Sequence, residues 1–524
     1  LFSINPKDNS MKESDFFADF TQTGSDRLYT EQNGSGFVTE ENAAVIPRLQ
    51  PRELNSSFLP VWWYKNRSIT EILQTDRGCA VKPCPFLLPD EVTSRYFPLV
   101  YTCDVSCSSE SGNIYLVTVT LCGSDILYGD KETDVLLFSG RRRLVWKGTL
   151  LKGEEKTITF SADISPIIPR GKTAAESDTR LTITLISNSA YLTSITAINA
   201  SSLDCRRILI AGDSTVADQS ADVPYAPSTC YCGWGQMLTA FIGTRWCVSN
   251  HAHSGLTTES FRTEGHYEIL KTIAQQGDMC LIQFAHNDQK RPHLQPYDGY
   301  TIRLKEYIHE LQEKGVKPVL VTPIARNSWN SDGTYNDHLK EYADACISLA
   351  DEKNLSLIDL HAFSMDIIKK TGLEASKKWF YPSDYTHTND YGGFYMASFI
   401  ASELHRLGLI QEVQQQEDWI PVSLPQLNSP VEKTDSSGNS IENDKNTTIN
   451  KASQIERPDD VLTRVDALDF VINAMRFFPV NVYNDGFKDV IGHETYAGIV
   501  QCASQNDLIP PSFIEDEKLY PDRP

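Results

Sequence analysis

Beyond Arg206 the chain alternates short apolar runs with amphipathic stretches, and that rhythm permits few folds. Ile208–Ala211, Met279–Phe284, Val319–Thr322 and Leu357–Asp359 are near-continuous apolar runs of strand length. Strands without a polar face are buried on both sides, as in a parallel sheet. Between them, Phe261–Gln276, Tyr297–Lys314 and Tyr335–Lys353 carry helical spacing, with Gly315 and Asn354 as helix stops. Strand–helix alternation with right-handed crossovers predicts a parallel sheet covered by helices on both faces, an α/β/α architecture. In such sheets ligands bind beyond the carboxyl ends of the strands.

The first two hundred residues have a different texture. Tyr115, Val117, Val119 and Leu121 alternate with Leu116, Thr118 and Thr120, and Leu181, Ile183 and Leu185 alternate with Thr182 and Thr184. Thr157–Phe160 and Tyr191–Ile198 are similar, and Gly, Asn, Asp and Ser clusters separate the runs. Period-two runs without intervening helices predict a β-sandwich. Trp62, Trp63 and Tyr64 suit core packing better than a sugar-stacking platform, and the Arg141–Arg143 run reads as a solvated strand end. A stretch rich in Ser, Asn, Asp, Glu, Pro and Gln reads as a linker. The chain thus divides into a β-sandwich (1–205), an α/β/α domain (206–412), a linker (413–457) and a small helical module (458–524), with helices over Val461–Phe478 and Tyr496–Gln505.

Composition narrows the partners. Of 524 residues, 48 are Lys or Arg and 69 Asp or Glu, a formal charge of -21. So acidic a chain repels phosphate backbones, which argues against nucleic acid. No run of 18 apolar residues suggests a membrane span. The chain begins at Leu1 and Phe2–Asp19 is too polar for a signal peptide, so it reads as a mature or trimmed product. The twelve cysteines form no paired CxxC motifs, and buried thiols account for most of them. Gly233–Gly235 lacks the GxGxxG pattern, and no metal cluster is visible, so no cofactor is expected.

Ser214 follows the apolar run 208–211, at the mouth of the predicted ligand crevice. It suits a nucleophile and a helix N-cap equally well. A serine nucleophile needs a base. Asp384 and His387, three residues apart, can form one turn in which the carboxylate fixes the imidazole tautomer. Asn287 follows the run 279–284, where its amide can face a developing oxyanion. Gly255 can offer a backbone N–H where a side chain would obstruct. Singly, each residue has an ordinary turn role.

Taken in order, Gly212-Asp-Ser-Thr215, Gly255, Asn287-Asp288 and Asp384-x-x-His387 resemble the SGNH (GDSL-like) hydrolase superfamily. Gly233-Trp-Gly-Gln236, Gln283-Phe-Ala-His-Asn-Asp288, Val321-Thr-Pro323 and Thr386-His-Thr-Asn-Asp-Tyr-Gly392 are similar to its rhamnogalacturonan acetylesterase group. The resemblance spans about Arg206–Leu409 and implies a flavodoxin-like fold. It implies Ser214 as nucleophile, His387 as base and Asp384 as its orienting carboxylate. The oxyanion hole it implies uses the N–H groups of Ser214 and Gly255 with the Asn287 side chain. Leu256 stands where the group often has Arg, and Ala285 where Gly is usual.

Arg326 is then the nearby cation for a sugar carboxylate. Trp234 and Tyr225 are candidates to stack on a sugar, although core packing suits both, and His286 is a candidate at the Asn287 loop. The β-sandwich resembles the galactose-binding-like modules of some bacterial members. The strings Leu462-Thr-Arg-Val-Asp466, Phe487-Lys-Asp-Val490 and Asp507-Leu-Ile509 resemble an S-layer homology repeat, which implies weak cell-wall or partner-chain contact. The expectation is a secreted or cell-surface bacterial O-acetylesterase for acetylated plant polysaccharide, rhamnogalacturonan first. Its rivals are an acetylxylan or general oligosaccharide esterase, and a carbohydrate-binding surface protein with an inactive esterase domain.

Overall fold

A computed structural model describes residues 16–21, 28–38 apart from 31, 72–81 apart from 76, 97–105, 112–123, 133–168, 174–175, 179–187, 193–221 and 225–419, with scattered positions between 463 and 520. Residues 1–419 form one compact unit and 420–524 a second. Trp62, Trp63 and Tyr64 lie outside the described residues, as does most of 420–524; of the two helices expected there, the described positions 464, 465, 467, 468, 471, 499, 500, 503 and 504 are helical.

Two antiparallel sheets open the first unit. One joins β1 (Phe16–Asp19), β3 (Ile72–Thr75), β4 (Gly78–Val81), β6 (Asn113–Gly123), β9 (Glu155–Ile164) and β11 (Thr193–Ser202). The other has the order β2 (Ser35–Val38), β5 (Phe97–Asp104), β10 (Arg180–Ser187), β7 (Thr133–Ser139) and β8 (Arg143–Leu150). Tyr115, Val117, Val119 and Leu121 of β6 meet Leu181, Ile183 and Leu185 of β10 in one buried cluster. On the other face of β6, Thr118 and Thr120 pair with Thr159 and Thr157 at 3.3 Å. Alternation thus places the apolar set of β6 inward and its threonines outward, whereas Thr182 and Thr184 of β10 are themselves buried.

The third sheet is parallel, with the order β13 (Trp246–Asn250), β12 (Arg206–Gly212), β14 (Met279–Gln283), β15 (Lys317–Val321) and β16 (Ser356–Ile358). Both faces are buried. Leu209 and Ala211 face α1 (His266–Ile273), α2 (Thr301–Glu313) and α3 (Lys340–Lys353). Ile208 and Ile210 share a cluster with α4 (Leu360–Thr371) and α5 (Asp390–Arg406). Asn354 (φ 51°) and Gly315 (φ 73°) take the left-handed conformation that stops α3 and α2. The helix expected over 335–353 begins only at Lys340, and that expected over 261–276 breaks at Gly265.

Leu136, Phe138, Leu144 and Ile186 of the second antiparallel sheet join the cluster under α5, so both halves of the unit share a core. Nor does that boundary leave Arg141–Arg143 in solvent as expected. Arg142 is fully buried and Arg143 is 8 % exposed, because both reach into the α/β half. Residues up to Trp419 also belong to the folded unit. Gln416 accepts from Lys147 N–H at 2.9 Å, and Trp419 meets Tyr391 and Phe394 edge-on.

In the second unit, Arg464 donates to the carbonyls of Phe513 (2.6 Å) and Leu519 (2.7 Å). Asp489 accepts from the N–H groups of Leu519 (2.8 Å) and Tyr520 (2.7 Å). Nine cysteines are described; all are free thiols and eight are buried. Among the described residues no helix is long and apolar enough to cross a membrane.

Candidate active site

From β12 the chain steps to β13 on one side and then to β14 on the other, so the strand order reverses between β12 and β14. That reversal opens a crevice at the carboxyl ends of the two strands. Ser214 follows β12 there and Asn287 follows β14.

Of the two roles that suit Ser214, the helix N-cap is not the one the structure has, because no regular helix follows it. One turn forms, with Val216 and Ala217 N–H donating to the Asp213 carbonyl at 3.1 and 3.0 Å. The next carbonyls are then diverted. Gln219 Nε2 donates to Ser214 O at 2.8 Å, and Trp234 N–H to Thr215 O at 3.2 Å. Asn250 Nδ2 donates to Val216 O at 3.0 Å, and Gly233 N–H to Ala217 O at 3.2 Å. Continuation as a helix would require those acceptors. The buried Asp213 fixes the turn from below, accepting from Thr215 N–H (2.9 Å) and Oγ1 (2.8 Å).

Ser214 Oγ lies 2.7 Å from His387 Nε2, and His387 Nδ1 lies 2.7 Å from Asp384 Oδ2. The N–H groups of Thr386 and His387 donate to Asp384 Oδ1 at 2.8 and 3.0 Å. Burial pushes the Asp384 carboxyl up, but His387 and these two donors outweigh it and hold the group below the usual carboxylate range. A carboxylate ionised in this way keeps the proton of neutral His387 on Nδ1, which leaves Nε2 to accept from Ser214. Tyr231 meets His387 nearly perpendicular, with ring centroids 5.3 Å apart, and stacks on Tyr381 at 3.9 Å.

Asn287 Nδ2 donates to Leu256 O at 3.1 Å, which ties the residue to the Gly255 loop and leaves the amide a second N–H. Gly255 has φ 86°, a conformation that suits glycine. Ala285, at a position where glycine is usual, has φ 139° and thus keeps glycine-like backbone at a strain cost. Leu256 is buried among α1 and α2 residues and offers no surface to a substrate.

Beside Asn287, Asp288 is buried and accepts from Thr258 N–H (2.9 Å) and Oγ1 (2.5 Å). Burial dominates and pushes its carboxyl up to about 7. His286 is buried too, with Nε2 3.0 Å from Ile324 O and Nδ1 3.4 Å from Asp213 Oδ2. It braces the Asn287 loop and is not available to substrate.

Two further candidates require correction. Trp234 is 1 % exposed, and its Nε1 donates to Gln283 Oε1 at 2.8 Å. Tyr225 is fully buried, with its hydroxyl on Asp390 Oδ2. Neither can stack on a sugar.

Arg326 lies beside the Asn287 loop, with Nη2 3.4 Å from His286 O. Lys290, not anticipated from sequence, places Nζ 3.3 Å from Asn287 Oδ1. Gln219 and Tyr231 were also missed, since no local spacing marks either. Among the described residues no group of three His, Cys, Asp or Glu is placed to hold a metal.

A serine, a histidine and a carboxylate stand in hydrogen-bonded series at the switch point of a parallel sheet, the arrangement that serine hydrolysis requires. Residues 210–392 match the GDSL-like lipase/acylhydrolase family. The chain is 34 % identical over 217 residues to the rhamnogalacturonan acetylesterase RhgT of Bacillus subtilis, which spans 39 % of this chain and 91 % of that one. It is also 34 % identical over 213 residues to the probable rhamnogalacturonan acetylesterase YesY of the same organism, 38 % of this chain and 94 % of that one. A crystal structure of Bacillus subtilis YxiM aligns at 21 % identity with a TM-score of 0.38, covering 75 % of this chain and 99 % of that one. The chain belongs to the GDSL-like lipase/acylhydrolase family and is an SGNH-type ester hydrolase.

Proposed function

We propose that this chain is a carbohydrate O-acetylesterase that releases acetate from acetylated plant polysaccharide through an acetyl-enzyme. The observation that carries the reading is the series Ser214–His387–Asp384, with 2.7 Å at both links. His387 Nε2 accepts the Ser214 proton as Oγ attacks the acetyl carbonyl. Asp384 stabilises the resulting imidazolium. The second N–H of Asn287, with the N–H groups of Ser214 and Gly255, receives the oxyanion. His387 then protonates the sugar oxygen as it leaves. Water, deprotonated by His387, attacks the acetyl carbon and frees Ser214 and acetate.

Two observations favour a pectic substrate. The curated relatives at 34 % identity are named as rhamnogalacturonan acetylesterases, one of them as probable. The site also gathers Arg326 and Lys290 beside Asn287 in a chain of net charge -21. Local cations suit the carboxylates of a galacturonate-containing polymer. The two antiparallel sheets are read as a β-sandwich accessory module, on a secreted or surface protein.

Acetate release is the test, measured on acetylated rhamnogalacturonan, acetylated xylan and p-nitrophenyl acetate. Preference for xylan overturns the substrate and leaves the mechanism intact. No hydrolysis of any of the three favours a binding protein with an inactive esterase domain.

A further inference from the structure

We propose that Arg142, on the turn between β7 and β8, is a positioning residue for the Ser214–His387 pair. The antiparallel half of the unit is then part of the active site rather than an appendage. This rests on the esterase reading above.

Arg142 is fully buried and has φ 59°, an unusual backbone for a long side chain. Its guanidinium reaches three separate segments of the α/β half. Nε donates to Gln219 O at 3.1 Å. Nη2 donates to Tyr231 O at 2.6 Å and to Gln236 Oε1 at 3.2 Å. Nη1 donates to Asp390 Oδ2. A buried ion pair is often no better for stability than apolar residues of the same volume, so what it fixes in place is the informative question.

Each of the three segments is one step from a catalytic group. Gln219 Nε2 donates to the Ser214 carbonyl at 2.8 Å and to Ser254 Oγ, beside Gly255, at 3.2 Å. The Tyr231 ring bears on His387, and its stacking partner Tyr381 donates its N–H to the His387 carbonyl at 3.0 Å. Asp390, three residues after His387, opens α5. One planar fork with fixed donor directions thus references both the nucleophile turn and the base turn.

The flanking arginines strengthen the same grip. Arg141 and Arg143 both meet Asp218 Oδ2, at 3.1 and 2.9 Å, and both donate to the Asn250 carbonyl, at 2.7 and 3.3 Å. Asn250 Nδ2 in turn holds Val216 O and, at 2.8 Å, Asp218 Oδ1. The turn that carries Ser214 is therefore clamped along its length from the other half of the unit.

Arg142→Lys in the full chain tests the proposal, because it keeps the charge and removes the fork. With p-nitrophenyl acetate, kcat normalised to the folded fraction should fall about tenfold to a hundredfold, the loss expected when reacting atoms shift by up to ~1 Å. KM should stay within about twofold, as uniform binding is untouched. The acidic limb of the kcat profile should move to lower pH, because a less well aligned Asp384 stabilises the imidazolium less.

Unchanged kcat and pH profile in a folded Arg142→Lys protein overturn the proposal and leave the esterase reading standing. No hydrolysis by the parent chain overturns both. If Arg142→Lys does not fold, Asp390→Asn carries the test: it keeps the side chain's size and removes the charge that anchors Nη1 of the Arg142 fork. A fall in its kcat with the same shift of the acidic limb supports the positioning role, and parent-like values refute it.

Discussion

Asp384 Oδ2 and His387 Nδ1 stand 2.7 Å apart within one turn, and the same carboxylate accepts the backbone N–H of His387 at 3.0 Å. The turn therefore fixes both the ring and the backbone that carries it. Asp384→Asn preserves the shape but allows the amide to donate to Nδ1, which places the imidazole proton on the wrong nitrogen. We expect kcat to fall by about 10³–10⁴ with little change in Tm. Single-turnover hydrolysis and a thermal melt measure this, and a loss under tenfold would remove Asp384 from the triad.

Asn287→Ala should lower kcat by about 10²–10³ if the second amide N–H receives the oxyanion. Substrate affinity should change less. Steady-state kinetics separate the alternatives, since a raised KM at constant kcat would make Asn287 a ground-state binding residue.

Arg326→Ala should reduce kcat/KM on acetylated rhamnogalacturonan about tenfold to a hundredfold, the worth of one charge-assisted contact. On p-nitrophenyl acetate the loss should be slight. Equal losses on the two substrates would mean that Arg326 acts through the His286 carbonyl it touches, as a brace for the Asn287 loop.

Asp288 gives the fold a pH signature. Burial raises its carboxyl from 3.8 to about 7. The folded chain therefore holds this proton more tightly than the unfolded chain does. Its stabilisation is complete below pH 4 and is lost as pH rises towards 7. Asp288→Asn, which keeps an acceptor for Thr258, should gain stability relative to the parent between pH 5 and 8. Denaturant midpoints across that range measure the gain, and parallel profiles for the two proteins would contradict it.

Ending the chain after Trp419 should leave a folded enzyme with parent-like kcat on p-nitrophenyl acetate. Trp419 closes the first compact unit, and every proposed catalytic residue precedes it. Aggregation or loss of activity would show that the second unit completes the fold.

Sequence gave access to the parts of the site governed by short-range rules. The apolar runs located the strand ends, hence Ser214 and Asn287, and the three-residue spacing of Asp384 and His387 implied a shared turn. The same rules misplaced what depends on chain segments meeting in space. Trp234, flanked by glycines, suits the core better than a sugar platform, and Gln283 opposite its indole N–H places it there. The turn after Ser214 has helix-like spacing, and only the diversion of its carbonyls to Gln219, Gly233, Trp234 and Asn250 prevents a helix. Three consecutive arginines in an acidic chain look like surface. The burial of Arg142 and Arg143 follows from Asp390 and Asp218, which lie far along the sequence.

The bond between Arg142 and Asp390 closes a loop of 248 residues. Contacts at such separation pay the loop-closure cost before they return any stability, and they tend to form late. The two antiparallel sheets precede the α/β half in the chain, and the proposed nucleophile, oxyanion loop and base follow over the next two hundred residues. We therefore expect catalytic competence to arise late in assembly. During refolding from denaturant, β-structure measured by circular dichroism should return before ester hydrolysis, and the interval between them is the time the arginine turn takes to find its seat.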